Sequence, residues 1–160
     1  MDQIFKRQIR SLDVAGQRVE IEIRQLDSPD IEKIRQIAEK SFPKVWKDSE
    51  YEYFIKHLSG LCLGVVSQKQ MVGFLLTLLV QGEMDVISIA VSPEYRRKNI
   101  AKTLLETAWE LPQVKQAFLE VDTENSPAIQ FYESFGFKAY GVRKKYYEGK
   151  RDALVMKRTK

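Results

Sequence analysis

The sequence predicts a mixed α/β domain, in which a mostly antiparallel sheet of about seven strands carries helices on both faces. Three observations support this fold class. Two amphipathic segments lie in the first part of the chain, three strand-like runs joined by short polar connections lie in the middle, and strand and helix patterns alternate in the last third. A length of 160 residues fits one domain, so residues 1–160 are expected to form a single unit.

The elements can be assigned in order along the chain. Apolar residues alternate with charged ones over 18–24, which predicts a half-buried strand, and residues 4–14 are a candidate strand before it. Ser28, Ser49 and Ser126 each precede a helical pattern and are expected to be N-caps. Further strands are predicted at 61–67, 71–80, 84–92, 117–122, 138–147 and 152–157, and further helices at 99–111 and 126–135. Two-residue turns are expected at Ala15-Gly16 and within 148–150.

Composition limits the class of protein. An apolar fraction of 44% and a charged fraction of 30% are typical of a soluble globular protein, and no apolar run has the length of a membrane span. The first ten residues lack the apolar core of a signal peptide, so a cytoplasmic location is expected. Cys62 is the only cysteine and is expected in the core, so no metal site is expected. The net charge of +4 is too small to argue for nucleic acid.

Residues 91–105 carry the strongest functional signal. A predicted strand runs into a turn at Pro93, then into a basic loop that opens a helix. A helix N-terminus presents unpaired N–H groups and a partial positive charge, so it binds phosphate well. The cations on or beside this terminus are Arg96, Arg97, Lys98 and Lys102. Taken alone, the segment fits an ordinary strand-to-helix connection with a solvated basic face equally well.

A carboxylate and a phenol form a second candidate site. Glu120 lies on a predicted strand, and Tyr132 lies on the apolar face of the helix that follows Asn125. On pattern alone, an exposed strand carboxylate and a core aromatic are the simpler interpretations. A phenol with a pKa near ~10 is a weaker acid than a thiol near ~8.5, so a role as general acid toward a thiolate needs a site that lowers the phenol's pKa.

Together these segments resemble the GCN5-related N-acetyltransferase (GNAT) superfamily, in which a Val-x-Pro-x-x-Arg lead and a small-residue loop cradle the pyrophosphate of acetyl-CoA. The corresponding residues here are Val91, Pro93 and 96–101. The likeness covers about residues 84–157 and narrows to the protein N-terminal branch, especially the ribosomal-protein alanine N-acetyltransferase (RimI) type. The segments that carry this narrower resemblance are 89–91, 119–121, 125, 128–137, 143–147 and 152–156.

The resemblance implies a GNAT-like acyl-CoA N-acyltransferase fold, with acetyl-CoA as cosubstrate and no metal. Glu120 would be the general base and Tyr132 the general acid. The residues implied in cofactor binding are Ile89, Ala90, Val91, Arg96, Arg97, Lys98, Asn99, Ile100, Ala101, Lys102 and Asn125. Asn99 stands where the family usually has glycine; asparagine tolerates left-handed backbone angles and caps helices well. Asp122 stands where the most similar relatives often have arginine, so the acceptor side is expected to differ.

The implied activity is direct transfer of an acetyl group to the N-terminal α-amine of a protein, with a ribosomal protein among the candidate acceptors. An α-amine has a pKa near ~7.8 and lysine near ~10.4, so a single carboxylate is adequate for an N-terminus and marginal for lysine. A small-molecule amine or a lysine side chain as acceptor, a non-catalytic acyl-CoA-binding module and a nucleic-acid binder are the alternatives. No membrane partner and no direct nucleic-acid partner is expected. The basic residues 143–145 and 157–160 either attract an acidic partner or form a solvated face.

Overall fold

The structure is a computed structural model that describes residues 5–160. Eight strands form one sheet: β1 (Gln8–Val14), β2 (Gln17–Gln25), β3 (Gly60–Ser67), β4 (Gln70–Val80), β5 (Glu83–Val91), β6 (Gln116–Asp122), β7 (Lys138–Tyr147) and β8 (Arg151–Thr159). Four α-helices accompany them: α1 (Ile31–Glu39), α2 (Asp48–Lys56), α3 (Ile100–Trp109) and α4 (Ser126–Ser134). None of these four helices, within residues 5–160, is long and apolar enough to cross a bilayer.

The strand order is β1-β2-β3-β4-β5-β6-β8-β7, and every neighbouring pair is antiparallel except β5 with β6. The predicted mostly antiparallel sheet with helices on both faces is therefore confirmed. The candidate strand predicted at 4–14 is β1, which brings the number of strands to eight; residue 4 lies outside the described residues.

Tight turns set the register of four hairpins. Three are the two-residue turns Ala15-Gly16, Gln68-Lys69 and Gln81-Gly82, and the fourth is the three-residue connection 148–150, which begins with Glu148-Gly149. The eight named residues all have positive φ, from 48° to 88°. Turns with this backbone twist match the right-handed twist of the strands they join. The turns predicted at Ala15-Gly16 and within 148–150 are confirmed.

Two apolar clusters bury the two faces of the sheet. α3 and α4 cover one face, where Leu104, Leu105 and Phe135 are buried against the strands. α1 and α2 cover β3 to β5 on the other face, around Phe74. Cys62 lies in this second cluster, as predicted, and burial raises the pKa of its thiol to about 11. A thiol with so high a pKa is a packing residue and not a nucleophile at neutral pH.

The N-caps predicted at Ser28, Ser49 and Ser126 are wrong, because each helical segment begins earlier than expected. The observed caps, in the same order, are Asp27, Lys47 and Asn125. The Asp27 carboxylate accepts the Ser28 amide at 2.8 Å, and the Asn125 carboxamide oxygen accepts the Ala128 amide at 3.3 Å. Carboxylate and carboxamide oxygens cap at least as well as a hydroxyl, so the serine after them enters the helix.

Candidate active site

β5 and β6 separate in the middle of the sheet and leave a gap. Their parallel pairing ends at Val86 and Leu119. Ile87 is then the extra residue of a bulge against β4, and a bulge bends the strand that carries it. Residues 87–91 of β5 and 120–122 of β6 therefore form the two walls of the gap.

A cavity of about 790 Å³ lies at this gap. Glu120 from β6 and Tyr132 from α4 both line it, together with Ile89 and Asn125. The two residues predicted as a catalytic pair thus face one space, although they come from different elements. The rest of the wall includes Phe42, Pro43, Lys44 and Trp46 from the region between α1 and α2, Tyr51 from α2, and Tyr147 and Arg151 from the β7–β8 hairpin.

Backbone groups of β5 point into the gap. The Ser92 amide donates to a β4 carbonyl at 2.8 Å, so the backbone of Ser92 faces β4. Because these groups alternate along an antiparallel strand, those of Ile89 and Val91 face the gap, whereas those of Ala90 face β4. The 3.0 Å bond from Arg96 Nε to the Val91 carbonyl agrees with this direction. Ile89 and Val91 are therefore placed to donate into the gap, and Ala90 is not.

The Arg96 side chain points away from the loop that precedes α3. Its Nε donates to the Val91 carbonyl, and its Nη2 donates to Ser41 Oγ at 3.1 Å and to the Lys40 carbonyl at 3.4 Å. These bonds join the end of β5 to the end of α1. Arg96 therefore holds the loop in place, whereas the neighbouring Lys98 packs its ammonium 5.1 Å from the centre of the Tyr95 ring.

The loop before α3 combines left-handed residues with a helix N-terminus. Arg97 and Asn99 have φ values of 60° and 59°, and Asn99 is the N-cap of α3. The family that the sequence resembles usually has glycine at the position of Asn99. Asparagine can replace it there because asparagine adopts the left-handed angle at modest cost. The amides of Ile100, Ala101 and Lys102 begin the helix and have no carbonyl one turn earlier to bond. Alternating left-handed residues and a helix N-terminus both favour phosphate.

The Glu120 carboxylate is held by Arg143 of β7. Arg143 Nη1 donates to Glu120 Oε1 at 2.6 Å, and the guanidinium lies 4.6 Å from the centre of the Tyr146 ring. The hydrogen bond to Glu120, followed by the charge of Glu120, raises the pKa of Arg143.

Tyr132 lies beside the cavity in an apolar setting. Its ring packs edge-on against Phe131 and Phe137, with centres 5.3 and 5.9 Å away. Burial raises the pKa of Tyr132 to about 12, and the nearby Tyr147 adds to the shift. This direction is opposite to the one that would make the phenol a stronger acid, so the site favours the neutral hydroxyl.

Two further polar residues border the cavity. Asp122 accepts from Arg151 at 2.9 Å and from the Glu124 amide at 2.9 Å. The carboxamide oxygen of Asn125 caps α4, as described above. Its NH₂ group is therefore the part that can donate to a ligand. Both residues stand at the mouth of the gap, beside Glu120.

Sequence reasoning missed the partnership of Arg143 with Glu120 and the aromatic wall formed by Phe42, Trp46 and Tyr51. The signal for the wall was the concentration of aromatic residues between the first two predicted helices and at the start of the second. Arg143 belongs to a segment that carries the resemblance, but the resemblance gave it no role, and its run of cations is typical of a solvated surface.

Comparison with known proteins assigns the chain to a family. The profile of the Acetyltransferase (GNAT) family matches residues 31–137. A Bacillus subtilis protein assigned as a ribosomal protein bS18-alanine N-acetyltransferase is 32% identical over 139 residues, which are 84% of this chain and 92% of that protein. The N-alpha-acetyltransferase of Saccharolobus solfataricus is 34% identical over 148 residues, 81% of this chain and 87% of that protein.

A solved structure agrees with these relatives. The ribosomal-protein-S18-alanine N-acetyltransferase from Escherichia coli superposes with a TM-score of 0.80 at 28% identity, covering 87% of this chain and 93% of that one. The family match spans both walls of the gap, the loop before α3 and the helix that carries Tyr132. The chain therefore belongs to the Acetyltransferase (GNAT) family.

Proposed function

We propose that this protein transfers the acetyl group of acetyl-CoA to the N-terminal α-amine of a protein, with Glu120 and Tyr132 as the catalytic pair. The observation that carries the proposal is the convergence of these two side chains on one cavity, at the point where β5 and β6 separate. Relatives named for N-terminal and ribosomal-protein acetylation, similar over most of the chain, support this class of acceptor. We place the activity in the cytoplasm, where new protein N-termini are made.

The residues present fit acetyl-CoA along the length of the gap. The amides and cations of residues 97–102 suit the pyrophosphate. The Ile89 and Val91 amides suit the pantetheine arm and the acetyl carbonyl, and Asn125 borders the cavity where the thioester would end. One well-placed donor to the developing oxyanion is worth about 3 kcal/mol. Tight cofactor binding and oxyanion stabilisation would thus come from backbone groups more than from side chains.

The reaction proposed is a direct displacement. The neutral amine attacks the thioester carbonyl carbon, the C–N bond forms, the C–S bond breaks, and the amine proton passes to Glu120, directly or through a water. An α-amine with a pKa near ~7.8 is partly neutral at physiological pH, so one carboxylate is sufficient as base. Arg143 occupies Oε1 of Glu120, which leaves Oε2 for the proton.

The raised pKa of Tyr132 shapes its part in the reaction. With a phenol pKa of about 12 and a thiol pKa near ~8.5, complete proton transfer to the departing sulfur would be uphill by about 5 kcal/mol. We therefore assign Tyr132 a hydrogen bond to the sulfur as negative charge develops there, a charge-assisted bond that a neutral hydroxyl donates well. The thiolate takes its proton from water after it departs.

The direct test is mass spectrometry of acceptors incubated with acetyl-CoA. We expect a peptide with the N-terminal sequence of ribosomal protein bS18 and other peptides with a free α-amine to gain one acetyl group at the N-terminus. The same peptides with a blocked N-terminus and an internal lysine, and a polyamine, serve as the contrasting acceptors. Acetylation confined to lysine or polyamine would replace the acceptor proposed here, and no transfer to any amine would contradict the proposal as a whole.

A further inference from the structure

An insertion in β7 directs two side chains towards β6. Between the pairs that Arg143 and Tyr147 make with β8, three residues of β7 face a single residue, Asp152. The middle one, Lys145, has a left-handed φ of 54° and donates its amide to the Asp152 carboxylate at 2.8 Å. A bulge of this kind changes the direction in which neighbouring side chains point. Here it places Arg143 and Tyr146 on the side of β7 that faces Glu120 of β6.

Arg143 is held between Glu120 and Tyr146. It donates to Glu120 Oε1 at 2.6 Å while its guanidinium stacks 4.6 Å from the centre of the Tyr146 ring. An exposed ion pair usually contributes little, because its long side chains move freely. The stack restricts that freedom at this site. Glu120 itself is only 27% exposed, so its side chain has a defined place in the cavity wall.

We infer that Arg143 is a positioning residue for acetyl transfer, which acts through Glu120 by holding one carboxylate oxygen and leaving the other free to face the cavity. The inference rests on the proposed function, because it takes Glu120 as the base. A charge-assisted hydrogen bond from a guanidinium is short and strong, so it limits rotation of the carboxylate. The bond to Oε1 leaves Oε2 directed at the acceptor amine or its bridging water.

The other groups around Glu120 do not replace Arg143. Asp85 on β5 is a second carboxylate; burial, followed by the charges of Glu83 and Glu120, raises the pKa of Asp85. A carboxylate cannot take the place of the guanidinium that donates to Glu120. The remaining titratable or charged groups that face Glu120 or share its cavity are Tyr146 and Tyr147 of β7, Tyr132 of α4, Arg151 and Asp122, which pair with each other, Glu124, and Lys44.

The experiment compares Arg143→Gln with the parent enzyme at pH 7.5, using kcat and KM for an N-terminal peptide that the parent acetylates. We expect kcat to fall by at least about tenfold while KM for acetyl-CoA stays unchanged, because a misplaced base slows the chemical step without removing a contact to the cosubstrate. Arg143→Lys is expected to restore most of the activity, because a lysine can still donate to the Glu120 carboxylate. Lys144→Gln, which removes the adjacent charge from the same strand, is expected to keep the parent's kcat.

A second arm asks whether the effect passes through Glu120. Combining Arg143→Gln with Glu120→Gln is expected to lower kcat no further than Glu120→Gln alone, because the group on which Arg143 acts is gone. An unchanged kcat for Arg143→Gln, in a variant with the parent's thermal midpoint, overturns the inference and leaves acetyl transfer standing. A parent that acetylates no α-amine overturns the proposed function instead. Arg143 is 57% exposed, so we expect the variants to fold.

Discussion

Tyr132 illustrates how a single residue's setting limits its chemistry. Burial keeps its hydroxyl protonated, with a pKa of about 12. We expect Tyr132→Phe to retain acetyl-CoA binding and to lower kcat at least about 100-fold, since the donor to the departing sulfur is lost. Calorimetry measures the binding, and release of the free thiol measures turnover. Near-normal turnover would remove Tyr132 from the mechanism.

The same pKa predicts the parent's behaviour at high pH. Tyr132 stays neutral below its pKa of about 12. Between pH 8 and 9.5 we therefore expect no decrease in the parent's kcat that is caused by ionisation of Tyr132, which means no decrease that Tyr132→Phe removes. Phe137→Leu, which changes the packing of the same ring without removing a hydroxyl, is the matched control. An alkaline loss that disappears only in Tyr132→Phe would mean that the bound cosubstrate lowers the phenol's pKa.

Residue identity predicted some of these features and not others. Asn99 was expected to accept a left-handed backbone, and its φ of 59° confirms this, because the requirement is local to one residue. Arg96 was expected to meet phosphate, but its guanidinium binds the ends of β5 and α1. The direction of a long side chain depends on what the fold brings beside it, and Ser41 is 55 residues away in sequence.

At the scale of the element, Asp30 connects the start of α1 to the sheet. It accepts two bonds from Arg24, at 2.8 and 2.9 Å, and one from the Asp27 amide at 2.8 Å. Burial would raise the pKa of Asp30, but these bonds and the Arg24 charge outweigh burial, so the pKa is lowered from 3.8. A carboxyl with a lowered folded pKa stabilises the fold above its unfolded value, and this contribution is lost as the pH falls through the folded pKa.

We therefore expect Asp30→Asn to lower the free energy of unfolding by about 1–2 kcal/mol at pH 7, where the ionised cap is intact. The difference from the parent should shrink below pH 3.8, as the parent's own carboxyl becomes protonated. Urea unfolding at pH 7 and at pH 3 measures both. Glu32→Gln, which removes an exposed charge from the first turn of the same helix, is the control. A difference that is equally large at pH 3 would mean that the ion pair is not its source.

Elements were predictable from the sequence where the signal is periodic or chemical. The alternation of β2 and the turns at Ala15-Gly16 and Glu148-Gly149 require no knowledge of the rest of the fold. The cap of the short helical turn Ser28–Asp30, which leads into α1, was missed by one residue because Asp27 and Ser28 are both good caps, and the choice depends on Asp30 and Arg24. The bulge of β7 had no sequence signal, since it contains neither glycine nor proline and is held by Asp152 across the hairpin.

At the scale of the whole molecule, the gap is a seam between two parts of one sheet. Only residues Glu83–Val86 of β5 pair with β6, so β1 to β5 and β6 to β8 meet over a short stretch. The buried cluster under α3 and α4 continues across the seam, where Leu75 and Leu119 belong to the same core. The sequence predicted the strands on each side, but the gap itself follows from the bulge at Ile87. A ligand in the gap would contact both parts, so its binding should stabilise the entire fold.

We expect acetyl-CoA to raise the midpoint of a single thermal transition. At a concentration of 100 times Kd the ligand adds about 2.7 kcal/mol to the free energy of unfolding, which corresponds to a rise in the thermal midpoint of roughly 5–10 °C for a domain of this size.

Lys102→Glu places a carboxylate in the exposed first turn of α3, which suits the helix dipole and should leave the ligand-free midpoint nearly unchanged. The same carboxylate opposes the pyrophosphate, so most of the shift should disappear. Lys115→Glu makes the identical charge change at the start of β6, at the opposite end of β5 from the loop, and should keep the shift. Equal shifts in both variants would mean that the phosphates bind elsewhere, and with them the cosubstrate that the gap is proposed to hold.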